Sequence, residues 1–167
     1  MVKKILVPIA FSKYSQGILN YASGIAEPLG AELLVVNVIN ARDLEAVDKI
    51  TSFGYKVDIE HYLETVKRER REELKKLMEP MTLPDRQVSF SFRVGDPTNE
   101  LLKLVVDKNI DMVIMGIKTH DVRHIFAGSV AERMFRKCPV TILSYRDDEI
   151  SERLLKKFAR YRRKETE

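Results

Sequence analysis

The sequence predicts an α/β domain, a doubly wound parallel sheet with helices on both faces. Three observations predict it. Short apolar runs rich in β-forming residues recur along the chain: KILVPI, LLVVNVI, IDMVIM and VTILSY. Between them, apolar residues return at helical spacing. The resulting order is β-α-β-α-β-α-β-α-β, and connections long enough for a helix join parallel strands. The order of the strands within the sheet does not follow from periodicity.

Each element has its own justification. Lys4 to Ile9 is short and apolar enough to be a strand buried on both faces. Ser12 is placed to cap a helix from Lys13 to Leu29, where Tyr14, Ile18, Leu19, Ala22, Ile25, Ala26 and Leu29 share a face. Gly30 ends it. Leu33 to Ile39 is the second strand. Asn40 to Lys56 is polar and mixed, a connection with a short helical piece over Leu44 to Ile50. Asp58 to Met78 is a long helix with an apolar stripe of Ile59, Tyr62, Leu63, Val66, Leu74, Leu77 and Met78. Its KRERREELKK run sets acids and bases three and four residues apart, as a solvated helix face does. Pro80 and Pro84 close this unit. Val88, Phe90, Phe92 and Val94 alternate strictly, which indicates a strand. Asp96 is a good N-cap with Pro97 at the first helical position, and that helix ends near Asn109. Ile110 to Met115 is the fourth strand, Val130 to Arg136 a helix, and Val140 to Tyr145 the fifth strand.

The chain has 167 residues, about one domain's worth, and 44% hydrophobic residues leave enough for one core. No apolar run is long enough to span a membrane. MVKKILVPIAFS lacks a small-residue cleavage site and reads as a first strand rather than a signal peptide. The single cysteine, Cys138, excludes an intrachain disulfide framework and points to a cytoplasmic location. It precedes Pro139 at a strand entrance and reads as a small packing residue. The net charge is +4, but both signs are mixed, which suits a solvated surface better than a nucleic-acid footprint.

The stretch MGIKTHDVRHIFAGSVAERM follows the fourth strand. In open α/β sheets ligands sit beyond the carboxyl ends of strands, where the strand order reverses. Gly116 would let the backbone turn sharply and approach a ligand. Gly128-Ser129 opens a helix, whose unpaired N–H groups and dipole favour phosphate. Ser129 to Glu132 is also a capping box, so Ser129 has a structural job available as well. His120 and His124 have a spacing that two metal ligands could use, but no third ligand pattern accompanies them. No nucleophile motif and no carboxylate pair calls for an enzyme.

Three separated blocks carry a family resemblance. They are KILVPIAFS, VGDPTNELLKLVVDKNIDMVIMG and GSVAERMFRKCPVTIL. In that order they resemble the universal stress proteins over roughly residues 2 to 146. The resemblance implies a universal stress protein domain over 1–146 and a helical extension over 147–167. It implies a five-stranded parallel sheet in the order 3-2-1-4-5, Rossmann-like and similar to adenine nucleotide alpha hydrolases, with an extra C-terminal helix. It also implies a homodimer, through the fifth strand or the C-terminal helix.

In one branch of the family ATP, with magnesium, binds between strands one and four. Carried over, that branch's site would use Gly116, Gly128, Ser129 and Val130 around phosphate. Pro8, Val38 and Met115 would border the base. Two further positions depart from the pattern. Ala10 stands where the family often has an acidic residue, and Thr119 where the phosphate motif has its middle glycine. The loop from Thr119 to Gly128 is one residue short of the motif. Lys118, His120, Arg123 and His124 give it cations that phosphate oxygens could meet.

Two functions follow as expectations. One is a cytoplasmic stress-response protein with an adenine nucleotide as regulatory ligand. The other is a dimeric interaction protein of the same family whose nucleotide site is degraded. From Asp147 onward, Ile150, Leu154, Leu155, Phe158 and Tyr161 share a helical face, and Lys156 to Lys164 is basic. A helix packed on its own domain or on a dimer partner fits this better than a membrane-surface or nucleic-acid role.

Overall fold

The computed structural model describes residues 1–45, 58–81, 83–116 and 130–164. Its five strands are β1 (Lys4–Pro8), β2 (Glu32–Asn40), β3 (Val88–Gly95), β4 (Met112–Gly116) and β5 (Thr141–Tyr145). They form one parallel sheet in the order β3-β2-β1-β4-β5. The helices are α1 (Ser15–Leu29), α2 (Ile59–Met78), α3 (Pro97–Asp107), α4 (Val130–Lys137) and α5 (Asp148–Lys164). Residues 41–45 are helical too, and the rest of the expected piece over Leu44 to Ile50 lies outside the described residues.

The period-2 geometry of the strands divides the core in two. Ile5, Val7, Leu33, Val35 and Ile114 face α1 and α2, meeting Ile18, Leu19, Ala22, Ala26 and Leu74. Leu6, Val36, Val113 and Met115 face α3 and α4, meeting Leu101, Leu104, Val105, Ala131 and Met134. Each such side chain contributes about 1.5–3 kcal/mol when fully buried. Cys138 packs on the second cluster, as a small apolar residue would. At the amino end of the sheet, the Asp111 carboxylate accepts the N–H groups of Lys3 at 2.7 Å and Lys4 at 2.9 Å. Those two donors hold its carboxyl below the usual carboxylate range.

The helix ends show where local chemistry decides. Asp58 caps α2 by accepting from the N–H groups of Glu60 and His61. Asp96 caps α3, accepting from Asn99, with Pro97 in the first turn. Gly30 ends α1 in the left-handed region, at φ 60°. The expected Ser12 cap is corrected. α1 begins at Ser15 after Tyr14, with no side-chain cap hydrogen bond. Ser15 Oγ instead accepts the Ser12 N–H at 2.9 Å, because the turn leaving β1 occupies Ser12 and Lys13.

β1 lies at the centre of the sheet. From it the chain builds β2 and β3 on one side, then crosses through α3 to β4 and β5 on the other. A crevice therefore opens beyond the carboxyl ends of β1 and β4, where the winding reverses.

Candidate functional site

Three strand ends build the crevice. β1 delivers Pro8, Ile9 and Ala10, β2 delivers Val36 to Val38, and β4 ends in Met115 and Gly116. Ile9 continues the ladder past β1, its N–H donating to the Val36 carbonyl at 2.8 Å. The chain then turns away at Phe11, which is held at φ 46°. A left-handed phenylalanine costs on the order of 1–3 kcal/mol and persists only where its surroundings fix it. Here the ring packs against the α1-side core.

The result is a cavity of about 380 Å³. That volume suits a small ligand, for which pockets run from roughly 300 to 1,000 Å³. Six of the sequence-predicted residues line it: Pro8, Ala10, Val38, Met115, Gly116 and Val130. Thr119, Gly128 and Ser129 lie outside the described residues, as do Lys118, His120, Arg123 and His124. Ala10 is exposed at the rim and brings no polar group there.

Gly116 serves a different physical need from the one expected. It is not among the described glycines with positive φ, so it does not supply a left-handed turn. A Cβ there would lie 2.7 Å from Ile18 Cδ1. The missing side chain lets α1 pack closely on the end of β4, and Ile18 becomes part of the cavity wall.

Several lining residues were not legible from motifs. Asn37 is 4% exposed within an otherwise apolar strand. Its Nδ2 donates to the Ile9 carbonyl at 2.8 Å, and its Oδ1 accepts from the Arg70 guanidinium. Arg70 belongs to the charge run read as a solvated face, and that reading is corrected here. The run is solvated at the Glu72–Lys75 pair, but Arg70 is half-buried and reaches the cavity. The signal available was Asn37, since a polar residue inside a buried strand needs partners. On the β5 side stand Tyr145, Asp147 and Ile150. Burial first, then the Asp147 and Asp148 carboxylates, push the Tyr145 phenol up, so it stays a neutral O–H.

The tail thus forms part of the wall. Ile150, in the first turn of α5, is 5% exposed. Glu149 meets Lys13 of the β1–α1 turn at 3.0 Å. Farther along, Leu154 is half-buried, while Leu155 and Phe158 are 67% and 62% exposed, so burial of the predicted apolar face is deepest at its start. The side chain of Tyr161, on that same face, lies outside the described ones. Among the described residues no group of three metal-ligating side chains occurs, and no helix is long and apolar enough to cross a membrane.

Fold and cavity together define an α/β domain with an open cavity at its topological switch point. The chain belongs to the universal stress protein family, whose model matches residues 1–146. It is similar to universal stress protein MJ0577 of Methanocaldococcus jannaschii, at 28% identity over 86% of this chain and 94% of that one. The solved structure of MJ0577 superposes with a TM-score of 0.67 over 89% of this chain and 99% of the other, at 22% identity. A universal stress protein solved in complex with cAMP shares the fold, with a TM-score of 0.58 and 16% identity over 86% of this chain and 96% of the other. So does one from Archaeoglobus fulgidus in complex with dAMP, with a TM-score of 0.54 and 16% identity over 87% of this chain and 100% of the other.

Proposed function

We propose that the protein binds an adenine nucleotide of the ATP class, with magnesium, as a regulatory ligand. On this reading it works as a cytoplasmic, homodimeric stress-response protein. One observation carries the reading: Pro8, Ala10, Val38, Met115, Gly116 and Val130, distant in sequence, converge on one cavity at the switch point. Pro8, Val38 and Met115 give it apolar walls suited to a purine. Gly116 and Val130 bracket the loop that carries Gly128 and Ser129, on the side suited to phosphates. The adenine nucleotides held by the two related proteins support the same ligand class.

Calorimetric titration of nucleotide-stripped protein with ATP, with and without magnesium, tests this. Saturable binding at micromolar ATP is expected. Ser129→Ala should weaken it about tenfold, the worth of one hydrogen bond to a charged group at the low end. Unchanged affinity in that variant would remove Ser129 from the site.

The second reading is a dimeric interaction protein without an ATP site. Ala10 favours it, because at its own place on the rim it brings no polar side chain to a ligand. Folded wild-type protein giving no heat up to millimolar ATP would decide for it.

A further inference from the structure

The polar pair on the β2 side of the cavity has no role in that reading. Arg70 is held in place from two directions. Its guanidinium donates to Asn37 Oδ1, and Asn37 is itself anchored on the Ile9 carbonyl. The next residue, Arg71, lies over the Phe92 ring with 5.8 Å to the centroid. Phe92 of β3 is the register partner of Asn37 of β2. Two consecutive arginines thus fix the rotation of α2 over one cross-strand pair, and Arg70 is aimed at the cavity.

A guanidinium has five N–H donors in a planar fork, and Asn37 occupies only part of it. Among the described residues no carboxylate pairs with Arg70. Among the described residues the one carboxylate on the cavity wall, Asp147, instead accepts the Glu149 N–H at 3.0 Å as the tail helix begins. A half-buried, pre-positioned guanidinium with spare donors is suited to a phosphate, which it can meet bidentately. Arg70 also stands on the β2 side of the cavity, away from Gly116 at the end of β4. β2 and β4 flank β1, so two strand spacings, about 10 Å, separate them.

We infer that Arg70 recognises a second phosphate, on the ribose edge of the bound nucleotide, while the 5′-phosphate lies toward Gly116 and Val130. The ligand class is then a nucleotide phosphorylated at two positions, of which adenosine 3′,5′-bisphosphate is the simplest. This rests on the adenine-nucleotide reading and specifies it.

The test compares AMP with adenosine 3′,5′-bisphosphate by calorimetry, on wild-type protein and on Arg70→Met. Arg70→Gln, which keeps a donor for Asn37, guards against loss of the α2 anchor, and circular dichroism checks folding. Wild type should prefer the bisphosphate about ten- to a hundredfold, and both variants should lose that preference while holding AMP as before. A bisphosphate bound no better than AMP by wild type would overturn the inference and leave the nucleotide reading standing. So would a preference that survives in the variants. Equal weakening of both ligands would place Arg70 at the 5′-phosphate and overturn it as well. Wild-type protein that binds neither compound would overturn this assignment, and the ATP titration above would then decide the nucleotide reading on its own.

Discussion

Asp96 closes the first turn of α3 and also meets Arg133 of α4 at 3.1 Å, so one carboxylate ties together the two helices on one face of the sheet. The Asn99 N–H, and after it Arg133, hold its carboxyl below the usual carboxylate range, against the opposing effect of burial. Asp96→Ala should destabilise the fold by about 1–2 kcal/mol at neutral pH, the loss of a cap and a partner. The sign of the pH dependence follows from the lowered value. The stabilisation is fully present above the unfolded pKa of about 3.9 and disappears as pH falls through the folded one. Urea midpoints of wild type and variant should therefore converge in acid, and a gap that persisted there would assign the loss to packing instead. This residue was readable in advance, since Asp-Pro at a helix start states its own chemistry. Arg70 was not. A cation in a run of mixed charges looks the same whether it faces water or a neighbouring strand, and only the Asn37 partner separates the two. Gly116 was readable as a glycine closing the fourth strand, but the contact that excludes a side chain there, with Ile18, lies on another element.

At the scale of elements, the strands and helices appear where apolar period and caps placed them, with ends moved by one or two residues. Such shifts are expected where helix ends fray and strands run into loops. The tail helix was legible as amphipathic, but its attachment was not, because nothing in its own period says which turn docks. Among the described residues of the tail the deepest burial is in the first turn, at Ile150. Ile150→Asp should undock it, since a charge replaces an apolar side chain that is 5% exposed. Trypsin should then cut at Arg146 and Arg153 markedly faster than in wild type, while the family domain stays resistant. Cleavage at the wild-type rate would show that Ile150 is not the anchor.

At the scale of the whole molecule, β5 is an edge strand, paired among the described residues only with β4. Its free edge offers unpaired backbone groups to a second copy. Sedimentation should find a dimer that survives removal of residues 147–167 if the edge alone carries assembly. A truncated chain that is monomeric would move the interface to the tail. The strand order itself could not be derived from periodicity, because β1, β2 and β4 are each buried on both faces and no apolar run declares its neighbour. It came from the three blocks of family resemblance, and the observed order agrees with it.

The seat of Ile150 has a consequence for time as well as for affinity. If the bound nucleotide leaves past Ile150, its release is limited by how often the first turn of α5 lifts. The burial of one isoleucine, about 1.5–3 kcal/mol, keeps the lifted population roughly ten- to a hundredfold lower than an unanchored helix would. The chain would then remember a pulse of nucleotide after the free concentration has fallen, and trimming the tail would shorten that memory without touching a single group that contacts phosphate.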